Sequence, residues 1–376
     1  MINPSDISII VPFHRNKDML MTSLSTLECS VPKQIEIIII ANNQDPNEIN
    51  IQVSSRYIVY KIYKDIMWPG AINFGVARSQ RKYIIFCDPD IYYLSGWLEA
   101  LTRCFEAHNM VGVVGAKLLN PLNGRILDFG MAYCTYNVAH TMKGLLPDHP
   151  LARFDRKTQS VCGAVMLTTR KIFLQVGGIN ASMPYIYCDN DYCLRVIQQG
   201  YSVWLAANAC VFHKGSTDKN NSKNMIYSYL RDDSKAAFYT QSSQLRKVDI
   251  TEWILTFWDH YIDSKYPVEE GYILFNFCTL LDHNLFIDTI RSKIGLHIME
   301  EYRIRLSQRD MPIIALYNYI PRDMIGYHTP FLYFVDEFTS LDHNAIWHTL
   351  RSTDKDLVID RHGNIVTIKQ ILNHIV

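Results

Sequence analysis

The sequence of 376 residues predicts an α/β fold: a doubly wound, mostly parallel sheet in residues 1–220, followed by a mainly helical extension or small domain in residues 221–376. Short apolar runs alternate with segments of helical spacing, as they do in successive βαβ units. The strand runs are apolar on both faces, as parallel strands covered by helices on both sides must be. No repeat and no low-complexity linker separates the two regions, which predicts that they pack together.

The first half contains five predicted strands, and polar residues follow two of them directly. The predicted strands lie at 7–11, 36–41, 57–60, 83–87 and 111–115, and the helices at 16–28, from near Pro69, and at 96–108. Asn42 and Asn43 follow the second strand, and Asp88-Pro89-Asp90 follows the fourth. Doubly wound sheets bind ligands outside the carboxyl ends of their strands. The sequence therefore predicts a site that includes both polar clusters.

Beyond residue 117 the pattern is less regular. Residues 118–158 predict an irregular insertion with short strands, because proline and glycine interrupt every pattern there. Further predicted elements are a strand at 161–168, helices to 176, at 189–199 and at 221–240, and two short strands at 202–205 and 210–213. Aromatic-rich helical spacing follows over 250–310, and the residues around His362-Gly363-Asn364 predict a hairpin.

Composition excludes several classes of protein. Equal numbers of basic and acidic residues, 37 of each, argue against a nucleic-acid binder. The nine cysteines contain no Cys-x-x-Cys pair, which argues against structural zinc and thioredoxin-like chemistry and predicts reduced thiols in a cytoplasmic protein. The N-terminus lacks the pattern of a signal peptide, and no apolar run is long enough to span a membrane. A soluble protein is expected, with peripheral contact to the inner membrane face and oligomerisation left open.

Asp88-Pro89-Asp90 has two interpretations. Paired carboxylates at the end of a strand can bind a hard divalent cation, which would stabilise a diphosphate leaving group. The same tripeptide is also common in turns that bind nothing.

Two further segments carry chemistry. Asp189 and Asp191 open a predicted helix, where a carboxylate can act as a general base or simply cap the helix. His213 ends a predicted strand and is followed by Lys214, so that an imidazole and a cation could face a metal and phosphates. A lone histidine is more often structural or merely exposed. No P-loop, His-Glu-x-x-His or Gly-x-Ser-x-Gly motif is present.

In their order along the chain these segments resemble glycosyltransferase family 2, the inverting transferases of GT-A fold, and especially its rhamnosyltransferase-like branch. The resemblance runs from Ile7 to about Ser216. The matching segments are Ile9–Arg15, Ala71–Ala77, Ile84–Asp90 with Gly96-Trp97-Leu98, Cys162–Ala164 with Gly177-Gly178, Asp189–Arg195 and Phe212–Ser216.

The resemblance implies a metal-dependent enzyme that moves a sugar from a nucleotide-sugar donor to a hydroxyl of a glycan, glycolipid or glycoprotein, in bacterial surface-glycan or glycoconjugate synthesis. It implies Mn²⁺ or Mg²⁺, with Asp90 as principal ligand and Asp88 and His213 beside it. Asp189 corresponds to the catalytic aspartate, and Asp191 to the acidic residue opening that helix. The implied donor-binding residues are Pro12, Phe13, Arg15, Asn42, Asn43, Asn73, Asp88, Asp90 and Lys214, and the acceptor-side residues are Cys162, Gly163 and Cys188.

Two departures from the family pattern leave alternatives open. Cys188 stands where the family has the glutamate of a Glu-Asp pair, and Asn42 and Asn43 stand where it has a nucleotide-contacting aspartate. A module that binds sugar or nucleotide without catalysis is therefore one alternative. A nucleotidyltransferase is another, although the loop after the first strand lacks the glycines that would cradle a triphosphate.

Overall fold

The computed structural model describes residues 2–14, 16–43, 56–133, 138–143, 146–149, 152–215, 225–242, 244–247 and 249, and five strands beyond them. The chain divides into two compact units. Residues 1–131 and 145–247 form the first, and residues 132–144 and 248–376 form the second. The first unit therefore continues past the predicted boundary at residue 220, through residue 247.

The first unit is built on a ten-stranded sheet, one side of which is parallel. Its parallel strands are β1 (Ile7–Phe13), β2 (Glu36–Asn42), β3 (Tyr57–Ile62) and β4 (Tyr83–Cys87), in the order β4-β1-β2-β3. All seven residues of β1 are buried. Because strands covered on both faces can use apolar side chains at every position, the predicted doubly wound sheet is confirmed for the described residues.

The other side of the sheet is mixed. It contains β5 (Ile91–Tyr93), β6 (Val111–Leu119), β7 (Ile126–Asp128), β10 (Arg156–Thr158), β11 (Val165–Thr169) and β12 (Ser202–His213). β11 runs antiparallel between β4 and β6, while β12 is parallel to β6. The two strands predicted at 202–205 and 210–213 are one strand, because the chain continues through a register shift between Leu205 and Cys210.

Helices cover this sheet close to their predicted positions. They are α1 (Lys17–Ser30), α2 (Met67–Arg78), α3 (Trp97–Ala107), α4 (Arg170–Gln175), α5 (Cys188–Gln198) and α6 (Met225–Gln241). The Asn16 side chain caps α1 by accepting the Met19 N–H. Pro69 lies in the first turn of α2, where its missing N–H costs no helical hydrogen bond.

α6 belongs to the first unit because its side chains bond to the loop before α5. Ser234 Oγ accepts the Tyr185 N–H at 3.1 Å, and Asn180 Nδ2 donates to Gln241 Oε1 at 2.8 Å. Short strands β8 (Met131–Tyr133) and β9 (Val138–His140) pair separately from the main sheet.

The described part of the second unit contains a five-stranded sheet. Its strands are β13 (Tyr272–Asn276), β14 (His297–Ile298), β15 (Phe331–Val335), β16 (Leu357–Asp360) and β17 (Ile365–Thr367), in the order β14-β13-β15-β16-β17. Only β16 and β17 pair antiparallel, which confirms the hairpin predicted around residues 362–364. The prediction of a mainly helical region missed the other strands. The aromatic residues Trp253, Phe257 and Trp258 lie outside the described residues.

Candidate active site

The turn after β4 lies at the carboxyl edge of the parallel strands, and two neighbouring strands hold it there. The Asp88 N–H donates to the Ala164 carbonyl at 2.8 Å, and the Lys214 N–H donates to the Asp90 carbonyl at 3.1 Å. β5 pairs with the end of β12, with Ile91 opposite His213. Residues from distant parts of the sequence are thus fastened around one turn.

Three side chains that could hold a metal ion meet at this turn. One ligand atom from each of Asp88, Asp90 and His213 lies within 4.8 Å of the others. His213 Nε2 is 3.3 Å from Asp90 Oδ1. Asp90 is buried, and the other two are half-buried. The fold therefore brings together the three residues that the sequence nominated as metal ligands.

The electrostatics of this cluster favour a cation. Burial and the neighbouring charge of Asp90 raise the pKa of Asp88 from 3.8 to about 6. Burial pushes the pKa of His213 down, but the hydrogen bond and charge of Asp90, reinforced by Asp88, outweigh it, so that this pKa lies above its usual value. Crowded carboxylates repel each other in a poorly solvated site, and a divalent cation would remove that repulsion.

Trp68, which the sequence did not nominate, orients one of these carboxylates. Its Nε1 donates to Asp88 Oδ1 at 2.8 Å. The same indole packs against Gly163, where an added Cβ would lie 3.0 Å from Trp68 and 3.2 Å from the Asp189 Cβ. Gly163 is therefore a point of close approach between the indole and the start of α5, which is a packing reason for glycine here.

Asp189 lies in the first turn of α5 with both carboxylate oxygens held. Oδ2 accepts the Gly163 N–H at 2.9 Å, and Oδ1 accepts the Asn190 N–H at 2.9 Å. Burial raises its pKa, although these backbone donors oppose the rise. The negative charge of Asp189 also contributes to the raised pKa of Asp88, so the base candidate and the candidate metal site interact electrostatically.

This arrangement agrees with the family comparison. Residues 8–172 match the model of glycosyl transferase family 2. Residues 8–172 are therefore a family 2 glycosyltransferase domain. The matched range includes Asp88 and Asp90, whereas Asp189 and His213 follow it. The predicted family is confirmed over this range, and the sheet described above confirms the predicted α/β fold class. The rhamnosyltransferase-like branch stays a prediction.

Individual relatives are distant. The O-antigen biosynthesis protein RfbC of Myxococcus xanthus is 24% identical over 225 residues, which cover 57% of this chain and 18% of that relative. The chain thus spans less than a fifth of this relative's length. Among solved structures, GalNAc-T7 with UDP, GalNAc and Mn²⁺ has a TM-score of 0.48 at 12% identity, over 68% of this chain and 56% of that chain. Mannosyltransferase PcManGT from Pyrobaculum calidifontis, in complex with GDP-Man and Mn²⁺, has a TM-score of 0.44 at 10% identity, over 81% of this chain and 84% of that chain.

Asp191, which also follows the matched range, is engaged in structural contacts. The buried Asp191 accepts from Arg195 Nε at 2.8 Å and from Ser242 Oγ at 2.6 Å. Arg195 also donates to the Val176 and Gly178 carbonyls. Both carboxylate oxygens of Asp191 therefore tie α5 to its neighbours, and this geometry lends no support to the predicted catalytic role.

Asn73 likewise binds the protein itself. Its Nδ2 donates to the Ile179 carbonyl at 2.8 Å, and its Oδ1 accepts the Ile179 N–H at 2.9 Å. Gly178 has a φ of 74°, and an added Cβ there would lie 2.6 Å from Asn73 Oδ1. Asn73, which the sequence predicts to bind the donor, thus holds the Gly177-Gly178 turn in place through its two hydrogen bonds to the Ile179 backbone.

The asparagines predicted to contact the nucleotide lie beside a carboxylate that the sequence did not identify. Asn42 Nδ2 donates to Asp65 Oδ1 at 2.9 Å, and His14 Nε2 lies 3.2 Å from Asp65 Oδ2. Asn43 Nδ2 lies 3.3 Å from the same His14 nitrogen. A carboxylate is therefore present beside Asn42, although it comes from the loop before α2 and not from β2.

The remaining predicted site residues differ in exposure. Pro12 and Phe13 are buried in β1, so they support the loop that follows and do not present side chains to solvent. Arg15 lies outside the described residues. Lys214 is exposed, Cys162 is half-buried, and Cys188 is buried in the first turn of α5.

Two further observations concern the chain as described. Burial and the charge of Asp189 raise the pKa of the Cys188 thiol. None of the seven cysteines within the described residues forms a disulfide. Among the same residues, no helix has the length and apolar character needed to cross a membrane.

Proposed function

We propose that this protein is a metal-dependent, inverting glycosyltransferase that moves a sugar from a nucleotide-sugar donor to a hydroxyl of a glycan, glycolipid or glycoprotein. The observation that carries the proposal is the convergence of Asp88, Asp90 and His213, with ligand atoms within 4.8 Å of one another at the carboxyl edge of the sheet. The charge of Asp189 contributes to the raised pKa of Asp88, which supports a general base close to the candidate metal site.

The donor atoms fit a divalent cation. Two carboxylates suit Mg²⁺ and Mn²⁺ alike, and the added imidazole favours Mn²⁺ over the strictly oxygen-loving Mg²⁺. Asp90 and His213 would hold the ion with Asp88, which Trp68 orients through its hydrogen bond. A bound cation at this site would act as a Lewis acid that stabilises a departing nucleoside diphosphate.

Asp189 is the proposed general base. The Gly163 and Asn190 amides fix the orientation of its carboxylate, and burial raises its pKa toward the range in which a carboxylate takes up a proton effectively. Asp189 would accept the proton of the acceptor hydroxyl as that oxygen attacks the anomeric carbon from the face opposite the leaving group. Asp191 would hold α5 in place through Arg195 and Ser242.

On the donor side, we propose that Asn42, Asn43 and Asp65 contact the nucleoside. Amide and carboxylate groups together can bond both donors and acceptors of a base and ribose. Lys214 and Arg15 are the proposed cationic contacts to phosphate oxygens. The acceptor would lie beside Gly163, Cys162 and Cys188, and likeness to the O-antigen protein RfbC supports a role in bacterial polysaccharide synthesis.

The test is hydrolysis and transfer with a panel of nucleotide-sugars in the presence of Mn²⁺. Wild-type protein should release nucleoside diphosphate from one of them, and Asp90→Asn should lose both Mn²⁺ dependence and most turnover. Asp189→Asn should bind the donor normally while its kcat falls by about 100-fold or more, as loss of a general base predicts. Donor binding without turnover in the wild type would instead identify the non-catalytic module that the Cys188 replacement leaves open. Inverted anomeric configuration in the product, read by NMR, tests the stereochemistry.

A further inference from the structure

A second cluster of metal-ligating side chains lies between the end of α3 and the start of β10. Cys104 lies in the last turn of α3, and His108 is the residue that directly follows the helix. Asp155 directly precedes β10. One ligand atom from each of the three lies within 4.8 Å of the others.

This cluster is separate from the candidate active site. His213 ends β12 at the active-site edge, whereas Trp204, which contacts this cluster, lies near the start of the same strand. Trp204 pairs with Val114 of β6 and Phe212 with Leu119, so at about 3.3 Å per residue the two positions are roughly 20 Å apart along the sheet.

Two of the ligands are oriented by neighbouring groups. The His108 ring stacks on Trp204 with centroids 3.5 Å apart and planes 5° from parallel. The Asp155 Oδ1 accepts the Ala207 N–H at 2.7 Å. Trp204 is itself held, because its Nε1 donates to Ser202 Oγ at 2.9 Å. Outer contacts of this kind are what hold ligands in known metal sites.

We propose that Cys104, His108 and Asp155 form a binding site for Zn²⁺ or a similar thiophilic divalent cation. Thiolate, imidazole and carboxylate are the three ligand types that zinc uses, and at zinc–ligand distances of about 2.0–2.3 Å they would be roughly 3.3–3.8 Å apart. Only a small closing movement separates the present cluster from that spacing. Because Asp155 is exposed, water can complete the coordination.

The helix supports a positive charge at this position. Both α3 ligands lie at its C-terminal end, where the helix dipole favours cations, and α3 has no basic residue in its last turn. In the metal-free protein, burial and Asp155 raise the pKa of the Cys104 thiol. Binding therefore replaces the S–H bond with a sulfur–metal bond and releases the proton to solvent. A bound ion would join α3 to the segment before β10.

The experiment uses the full chain carrying Asp90→Asn, which removes the principal ligand of the first site, and Co²⁺ as a spectroscopic probe. We expect about one equivalent of Co²⁺ with a sulfur-to-cobalt charge-transfer band in the near ultraviolet. Cys104→Ser should abolish that band, whereas Cys29→Ser, which replaces an exposed cysteine of α1, should leave it unchanged.

Asp155→Asn provides a second route if Cys104→Ser does not fold. Its side chain is exposed and its amide oxygen can still accept the Ala207 N–H, so the fold should tolerate the change. Zn²⁺ affinity, measured by competition with a chromogenic chelator, should fall by about 100-fold, and the rise in Tm that Zn²⁺ gives the parent should disappear. A charge-transfer band that survives Cys104→Ser, or equal Zn²⁺ affinity in Asp155→Asn, overturns the site.

Discussion

Replacing Asp88 with asparagine should stabilise the metal-free protein while weakening its metal binding. The pKa of Asp88 is raised from 3.8 to about 6 in the folded state by burial and by Asp90. At 1.36 kcal/mol per pK unit this difference corresponds to about 3 kcal/mol, and solvent screening of a half-buried group reduces it to about 1–2 kcal/mol. Asparagine removes the charge but keeps an oxygen that can accept the Trp68 Nε1–H.

The sign of the effect depends on pH. Below pH 3.8 the carboxyl group is protonated in both the folded and unfolded states, so it contributes no penalty. Between pH 3.8 and about 6 the unfolded chain has lost its proton and the folded chain holds it, so wild-type stability falls as pH rises. Above about pH 6 the full penalty remains. The advantage of Asp88→Asn should therefore grow over this interval and then stay constant.

The assay is urea unfolding of metal-free protein at several pH values between 4 and 8, with Mn²⁺ titrations at pH 7.5 in parallel. Mn²⁺ should raise the Tm of the wild type and have little effect on Asp88→Asn. Asp232→Asn, which removes an exposed carboxylate on α6, is the matched control and should follow the wild type. An advantage of equal size at pH 4 and pH 7.5, or a variant less stable at pH 7.5, would refute the reasoning.

Three other predictions concern single contacts. Asp191→Asn should lower the free energy of unfolding by about 3 kcal/mol, because it breaks the ion pair with Arg195. The folded fraction should keep its kcat within about twofold in single-turnover assays. A large loss of kcat at full stability would restore a catalytic role. Gly163→Ala should destabilise by about 1–3 kcal/mol in denaturant titrations, because the new methyl group meets Trp68 at 3.0 Å; unchanged stability would contradict this packing. Asp65→Asn should raise the KM for the donor about tenfold with little change in kcat, and an unchanged KM would remove Asp65 from the nucleotide contacts.

Local patterns in the sequence were sufficient for the elements and for the position of the paired carboxylates. The apolar runs of β1, β2 and β4 predict buried strands, because a strand that is covered on both faces carries apolar residues at nearly every position. Asp88 and Asp90 follow β4, so the carboxyl-edge rule for such sheets locates them without coordinates. The sequence predicts two strands where the structure has the single strand β12, because the register shift between Leu205 and Cys210 interrupts the expected alternation.

Only the tertiary structure decided which polar side chains hydrogen-bond to each other across long stretches of sequence. Asn73 clamps Ile179, Asp65 joins Asn42, and Trp68 orients Asp88, although each pair is far apart in the sequence. A polar side chain can bond to many groups, and only the packing of distant elements determines which of them lies within 3 Å. The sequence by itself determined which residues could do chemistry here, and the packed fold decided which of them face the site and which hold it together.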